Sequence, residues 1–225
     1  MSSSGKKAAL VFLHGLGDTP AGWSMLENQL PAICPRLSEL MYSFPKAPTI
    51  GITINGGMEM PGWFDLYDWP IAVGSKDDKD GLLRSVKQIQ DEITRLETEH
   101  EIPRERIVVG GFSQGGAVAL LAAYHNKNEK PLAGCVALSA WLTLQNEIAP
   151  STKTPLFWGH GQYDDKVLFD QQSFGLTQLQ EKGLTPDVIE SADYPMGHSS
   201  HPKEIQDFAN YLDNLLFNDK TKDES

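Results

Sequence analysis

The sequence predicts an α/β fold built on a mostly parallel, doubly wound sheet flanked by helices. Short apolar segments typical of buried strands alternate with helical segments along the chain. The composition, with 40% hydrophobic and 22% charged residues, is ordinary for a globular protein. The 225 residues contain no internal repeat and no low-complexity linker. We therefore predict one domain over residues 1–225, with flexible tails at residues 1–6 and about 218–225.

The individual elements follow from apolar runs and helical spacing. Residues 8–13 form a continuous apolar run, as expected for a strand covered on both faces. Thr19 and Pro20 then predict a helix start, with the hydroxyl as cap and the proline at the first helical position. Further strands are predicted at residues 106–109, 135–138, 156–158 and 187–190, and helices at residues 82–96, 115–124, 169–182 and 203–217.

Charge and cysteine content narrow the function classes. A formal net charge of −11 disfavours nucleic-acid binding and electrostatic attachment to anionic membranes. The two cysteines, Cys34 and Cys135, lack metal-ligand spacing, and Cys135 lies in an apolar run typical of a buried free thiol. The sequence shows neither a secretory signal nor a membrane span. We therefore expect a soluble, intracellular protein in the cytoplasm, with the nucleus as a further location.

One glycine-rich segment carries the clearest chemical signal. The letters GFSQG, centred on Ser113, fit the G-x-S-x-G pattern, with a predicted strand before and a predicted helix after. Such a turn places the serine at a helix N-terminus, where developing negative charge is favoured. The alternative is a turn that serves packing alone. The strand and helix on either side favour Ser113 as a nucleophile.

A serine nucleophile needs a histidine base and an acid, in the chain order Ser, Asp or Glu, His. His14 and His100 precede the serine, and His125 lies roughly 15 Å away along the helix that the serine begins. His160 precedes the best acid candidates. These four of the six histidines are therefore excluded as the base. His201 stands before Pro202 and is assigned to a helix cap or the surface. His198, in a glycine-containing loop after the last predicted strand, is the predicted base.

The acid is expected in the loop after the preceding strand. That loop, GHGQYDDKV, offers Asp164 and Asp165, and the residue pattern alone does not choose between them. Asp193, just before the histidine loop, is a weaker third candidate because it lies on the wrong strand end.

An oxyanion hole requires two N–H donors. One should be the backbone N–H of Gln114, directly after the nucleophile. The other should come from LHGLGDTP, where Gly15 and Gly17 allow the backbone of Leu16 to approach a substrate oxygen. A phosphate-binding loop is the alternative, but the segment lacks both the P-loop lysine and G-x-G-x-x-G. His14 is assigned a structural role in this loop.

The motifs FLHGLGDT, MPGWFD, GGFSQGGA, ALSAWL, HGQYD and GHSSH together resemble the acyl-protein thioesterase group, in the phospholipase/carboxylesterase branch of the α/β-hydrolases. The resemblance runs over residues 8–216 and implies an α/β-hydrolase fold. It also implies the triad Ser113, Asp164 and His198, because the H-G-x-x-D pattern places the acid at the first aspartate of the pair.

The same resemblance implies Leu16 and Gln114 as the oxyanion donors. Three positions depart from the familiar pattern without touching the catalytic groups: Pro20, Gly62 and Gly197.

The segment 51–70 is the expected substrate region. It is rich in glycine, methionine and aromatic residues and has no clear period, which suits an acyl-chain groove. The alternative is that these side chains fill the core beside the sheet. The resemblance implies a loop over the active site, which makes Met60 and Trp63 lining candidates. Trp141, after the strand at 135–138, is another.

Three functions remain open at this point. The first is a thioesterase that removes fatty acyl groups such as palmitoyl from S-acylated proteins. The second is a general carboxylesterase or lysophospholipase acting on small lipid esters, and the third is a non-catalytic receptor, which an intact triad disfavours. No metal or organic cofactor is expected, and neither is stable membrane insertion. A weak homodimer through the apolar rim of the groove has no support in the sequence.

Overall fold

A six-stranded parallel sheet forms the centre of the fold in a computed structural model that describes residues 8–125 and 130–218. Its strands are β1 (Ala8–Leu13), β2 (Leu40–Ser43), β5 (Ile107–Phe112), β6 (Gly134–Leu138), β7 (Leu156–Gly161) and β8 (Ile189–Tyr194), in the spatial order β2-β1-β5-β6-β7-β8. A separate antiparallel hairpin consists of β3 (Thr49–Ile52) and β4 (Met58–Pro61). The predicted tails lie outside the described residues, except for Asn218. The predicted mostly parallel α/β fold is confirmed.

Helices cover both faces of the sheet. They are α1 (Leu26–Ile33), α2 (Lys79–Glu99), α3 (Gln114–Tyr124), α4 (Asp170–Glu181) and α5 (Pro202–Phe217). Helices α2 and α3 pack together on one face, whereas α1 and α5 pack together on the other. Helix α3 is buried along almost its whole length, which explains why its sequence is small and aliphatic on every side.

Two predicted elements are corrected by the structure. A helix does begin at Pro20, as a short 3₁₀-helix (Pro20–Gly22) with Thr19 as its N-cap residue, but the Thr19 hydroxyl does not make the predicted cap hydrogen bond. The carboxylate of Asp18 accepts the Thr19 N–H at 2.7 Å instead. The last strand is β8, which begins later than predicted because the 3₁₀ turn Pro186–Val188 precedes it. As an edge strand it is largely exposed, so its apolar pattern is weak.

The strand order reverses between β1 and β5. From β1 the chain moves outward to β2, and it later returns to place β5 on the other side of β1. The loops that follow β1 and β5 therefore diverge at the carboxyl edge of the sheet and leave a crevice between them. Ligands of open α/β sheets bind at such a point.

Candidate active site

Ser113 lies in a strained turn between β5 and α3. Its backbone angles, φ 55° and ψ −122°, are ones that residues with side chains rarely adopt. The turn is tight enough that a Cβ on Gly111 would lie 2.4 Å from the Gly115 backbone, and a Cβ on Gly115 would lie 2.4 Å from Leu13 O. Both glycines of the motif are therefore required sterically. The turn raises the serine hydroxyl above the carboxyl edge of the sheet.

The three side chains predicted as a triad are joined by hydrogen bonds. His198 Nε2 lies 2.9 Å from Ser113 Oγ, and His198 Nδ1 lies 2.7 Å from Asp164 Oδ2. The serine follows β5, the aspartate follows β7 and the histidine follows β8, so three strand ends of one sheet position the group. With Nδ1–H donated to the carboxylate, Nε2 is free to accept the serine proton.

Asp164 is held as a buried carboxylate. Its Oδ1 accepts the backbone N–H groups of Lys166 and Val167, both at 2.9 Å. Burial by itself would raise the pKa of this carboxyl, but the hydrogen bond to His198 and the two N–H donors outweigh burial, so the pKa lies below its usual value. The group is thus charged at neutral pH, as an orienting acid should be.

The other acid candidates lie elsewhere. The side chain of Asp165 is 74% exposed and faces Lys166 at 3.3 Å. Asp193 is exposed and accepts a hydrogen bond from Gln162. Only Asp164 of the three contacts the histidine in the described part of the chain.

His160 is buried beside Asp164, and the sequence pattern assigned no role to this histidine. Its Nε2 lies 2.9 Å from Val167 O and 3.6 Å from Asp164 Oδ2. Burial lowers its pKa, so the ring is neutral, and the carbonyl partner assigns the proton to Nε2. His160 therefore holds the loop whose Val167 N–H binds the Asp164 carboxylate. Its position inside the H-G-x-x-D motif was the available signal.

His14 and His201 have the structural roles that were predicted. His14 is buried in the loop after β1, where its ring contacts Gly15 O at 2.8 Å and accepts the Ala47 N–H at 3.2 Å. His201 caps α5, with Nδ1 accepting the Lys203 N–H at 3.1 Å.

Leu16 and Gln114, the two residues predicted as oxyanion donors, follow β1 and β5. In the loop after β1, the Gly17 N–H donates to Pro61 O at 2.8 Å and the Asp18 N–H donates to Gly15 O at 3.3 Å. Within residues 8–125 and 130–218, neither the Leu16 nor the Gln114 N–H donates to another protein group. Both residues line the cavity that contains Ser113 and His198.

The cavity above the serine has a volume of about 180 Å³ and a largely apolar wall. It is lined by Gly15, Leu16, Asp18, Leu66, Trp69, Ile71, Phe112, Ser113, Gln114, Trp141, Val167 and His198. Trp141, a predicted lining residue, is among them. A neighbouring hollow of about 200 Å³, lined by Leu16, Ile54, Asn55 and Trp69, shares two of these walls.

The structure corrects the assignment of Trp63 to the cavity wall. Trp63 is fully buried in the core and does not line the cavity, and its indole N–H donates to His14 O at 2.8 Å. Met60 lies next to the groove instead of on its wall, with Sδ 3.5 Å from Asn55 Nδ2. Trp69 is the aromatic residue of this segment that does line the cavity, and it is 49% exposed. Nothing in the residue pattern favoured Trp69 over Trp63, because both tryptophans lie in the same aperiodic segment.

A parallel sheet with a serine, an aspartate and a histidine at the carboxyl ends of three of its strands is the architecture of the α/β-hydrolases. The chain matches the model of the phospholipase/carboxylesterase family over residues 1–216. It therefore belongs to that family, as its motifs predicted.

Relatives in sequence and structure agree with this assignment. Acyl-protein thioesterase 1 of Mycosarcoma maydis is 40% identical over 224 residues, covering 93% of this chain and 91% of that protein. The crystal structure of Arabidopsis thaliana SOBER1 superposes with a TM-score of 0.83 at 31% identity, covering 93% of this chain and 99% of that one. Zea mays acyl-protein thioesterase 2 superposes with a TM-score of 0.79 at 29% identity, covering 96% of each chain.

No helix within residues 8–125 and 130–218 has both the length and the apolar character needed to cross a bilayer. In the same residues, no group of three or more His, Cys, Asp or Glu side chains is arranged to hold a metal ion.

Proposed function

We propose that this protein is a serine hydrolase that cleaves thioester-linked fatty acyl groups, such as palmitoyl, from S-acylated cysteines of proteins. The observation that carries the proposal is the continuous hydrogen-bonded chain from Ser113 Oγ through His198 to Asp164, opening into an apolar cavity. Relatives named acyl-protein thioesterase support the choice of substrate.

The reaction begins with proton transfer to His198 Nε2 as Ser113 Oγ attacks the acyl carbonyl. The carbonyl oxygen becomes an oxyanion that the N–H groups of Leu16 and Gln114 stabilise. Collapse of this intermediate breaks the C–S bond and leaves the acyl group on Ser113, and the departing cysteine sulfur takes the proton from His198, which becomes neutral again. Water then attacks the acyl-enzyme as His198 takes one of its protons, and on collapse His198 gives that proton to Ser113 Oγ as the fatty acid is released.

The leaving group determines how much His198 must act as a general acid, that is, how far it must protonate the departing atom. A cysteine thiol has a pKa of about 8.5, so a thiolate departs far more readily than an alkoxide. Thioester cleavage therefore needs little proton donation by His198 during acylation. An oxoester demands more, because its alkoxide must be protonated as it leaves.

The acyl chain has an apolar path away from the serine. The cavity at Ser113 and the neighbouring hollow share Leu16 and Trp69 as walls. A chain entering beside Trp141 and continuing past Trp69 would reach Ile54, next to the β3–β4 hairpin. Burial of its methylene groups would contribute about 0.8 kcal/mol each to binding.

A second candidate function is hydrolysis of small lipid esters, including lysophospholipids. The family description, phospholipase/carboxylesterase, favours it, and the same triad would perform it. We propose S-acylated proteins as the main substrates and these lipids as further ones. We also propose a cytoplasmic location, with the nucleus as an additional one, supported by the free thiols of Cys34 and Cys135.

The testing experiment compares two substrates of equal chain length. The ratio kcat/KM is measured on a long-chain S-acyl cysteine peptide and on the matched O-acyl serine peptide, with Ser113→Ala as control. We expect the thioester to be preferred by at least about tenfold and the variant to lose activity by about 10³-fold or more.

Equal or faster oxoester turnover would instead assign the protein to general lipid esterases. Activity that survives in Ser113→Ala would contradict the assignment of the nucleophile.

A further inference from the structure

The two oxyanion donors of the proposed site come from different strands, and the sheet stops short of them. Strand β1 pairs with β5 as far as Leu13 and Gly111, where the ladder ends. Leu16 and Gln114 lie three residues beyond these positions. Their N–H groups must nevertheless converge on one oxygen, about 2.7–3.1 Å from each. Some other contact has to set the distance between the two loops.

On the Leu16 side, a buried histidine fixes the direction of the donor. His14 Nε2 accepts the Ala47 N–H, so Nδ1 carries the proton and donates to Gly15 O at 2.8 Å. The Gly15 carbonyl and the Leu16 N–H belong to the same planar trans peptide and point in opposite directions. A hydrogen bond that holds Gly15 O therefore also aims the Leu16 N–H.

Trp63 connects this loop to the residue that carries the other donor. Its indole N–H donates to His14 O at 2.8 Å, and its main-chain N–H donates to Gln114 Oε1 at 2.8 Å. Gln114 Nε2 then donates to Phe64 O at 2.6 Å, so the glutamine side chain grips the Trp63–Phe64 backbone at two points. The Trp63 carbonyl in turn accepts the hydroxyl of Ser85 on α2. Trp63 is fully buried, and so are the three residues His14, Gln114 and Ser85 that bond to it.

We infer that Trp63 is a positioning residue for the proposed reaction, a brace that ties the loop after β1 to Gln114 and so sets the separation of the two oxyanion donors. This inference rests on the proposed function. Trp63 touches no part of the cavity, so its effect must be transmitted through His14 and Gln114.

The brace differs in kind from ordinary core packing. Trp158 is equally buried, on β7, and its indole N–H has no hydrogen-bond partner among the described residues. Replacing either tryptophan by phenylalanine removes a similar volume, but only Trp63→Phe removes a hydrogen bond next to an oxyanion donor. Trp158→Phe is therefore the matched control.

The experiment distinguishes misplaced oxyanion donors from a general loss of stability by measuring how tightly each variant binds a transition-state analogue. Each variant is assayed for kcat and KM on the acyl thioester. Affinity is measured for a trifluoromethyl ketone with the same acyl chain, which forms a hemiketal when Ser113 Oγ bonds to the ketone carbon, His198 takes the proton and the ketone oxygen becomes an oxyanion. Affinity is also measured for the long-chain alcohol, which has no carbonyl.

The expected result for Trp63→Phe is a fall in kcat of about 10- to 100-fold with KM changed less than about threefold. Ketone affinity should fall by the same factor as kcat/KM, and alcohol affinity should stay within about twofold. Trp158→Phe should lower the melting temperature comparably while leaving kcat within about threefold. Parallel losses in kcat and ketone affinity would support the brace.

A second variant guards against poor folding of Trp63→Phe. Gln114→Met keeps the main-chain N–H and the side-chain length but loses both bonds to the Trp63–Phe64 backbone. It should reduce kcat in the same direction, and the double variant should show a less than multiplicative loss, because both changes open one brace.

Three outcomes would overturn the inference. If Trp63→Phe and Trp158→Phe have the same kcat and ketone affinity, the inference about Trp63 is wrong but the proposed function stands. The same holds if kcat falls in Trp63→Phe without a loss of ketone affinity. A wild-type protein that fails to hydrolyse both acyl peptides would overturn the proposed function and the brace with it.

Discussion

Two buried carboxyl groups, Asp164 and Glu204, lie on neighbouring parts of the molecule and behave in opposite ways. Both side chains are fully shielded from solvent. Asp164 accepts two backbone N–H groups and contacts His198, and its pKa lies below the usual value. Glu204, on α5, makes no hydrogen bond of ordinary geometry among the described residues; the backbone of His201 is the one group that lowers its pKa, and burial outweighs it and raises the pKa to about 8.

The difference shows that hydrogen-bond partners, rather than depth, decide the charge of a buried acid. Desolvation acts on both groups in the same direction. Glu204 occupies space left by Gly159, where a Cβ would lie 2.5 Å from Glu204 Oε1. Near the carboxyl end of β7, the fold thus holds Glu204 as a neutral, packed side chain and Asp164 as the charged acid of the proposed reaction.

The largest effect is expected when the charged acid loses its charge. Asp164→Asn keeps the size of the side chain but favours the wrong histidine tautomer, so kcat should fall by about 10³- to 10⁴-fold. Asp165→Asn is the matched control, because that neighbouring side chain is 74% exposed. Steady-state kinetics on an acyl thioester would measure both. A similar loss in the two variants would contradict the assignment of the acid.

The neutral acid should instead affect stability in a pH-dependent manner. The pKa of Glu204 is about 8 in the folded protein against 4.5 as its ordinary value, so between these pH values the folded state holds a proton that the unfolded state has lost. Its contribution to the free energy of unfolding therefore falls as pH rises from about 4.5 to 8, and stays low above that. Glu204→Gln removes this loss and should gain on the order of 3 kcal/mol at pH 9 relative to its effect at pH 5.

Urea unfolding of Glu204→Gln at the two pH values would test this expectation. Glu105→Gln, at an exposed position, is the control and should show no comparable pH dependence. Equal effects of Glu204→Gln at pH 5 and pH 9 would mean that Glu204 ionises normally in the folded state.

The smallest effect is expected from the residue that holds the partners of Asp164 in place. His160→Phe keeps a ring in the pocket but cannot donate to Val167 O. The Val167 N–H should then bind the carboxylate less firmly, and kcat should fall about 5- to 20-fold with KM little changed. Labelling of Ser113 by a fluorophosphonate should slow by a similar factor. Full activity would show that the Lys166 N–H and His198 suffice.

Much of the fold could be predicted because its signals are local. The apolar runs of β1, β5, β6 and β7 and the small aliphatic α3 follow from burial on both faces of a sheet. The hairpin β3–β4 was not predicted, because its four-residue strands are largely exposed and β3 includes Gly51. Strand β2 was not predicted either, because it is short and mostly half-buried.

Residue types and their order along the chain were enough to predict the kind of site and the sequence of its parts. Ser113 lies on a strand-to-helix turn, an aspartate follows the predicted strand at 156–158, and His198 follows the last predicted strand. These positions can be brought together because the carboxyl ends of parallel strands share one edge of the sheet. Residue type and spacing along the chain carry this information, because each signal lies within a few residues of a strand.

Contacts in the folded protein distinguish neighbouring residues that the local residue pattern leaves equal. Asp164 and Asp165 differ in which one meets the histidine, and Trp63 and Trp69 differ in which one is buried against His14 and which one faces the cavity. These outcomes depend on contacts between segments 34 to 51 residues apart. Packing of distant elements sets such contacts, and no local period or composition records it.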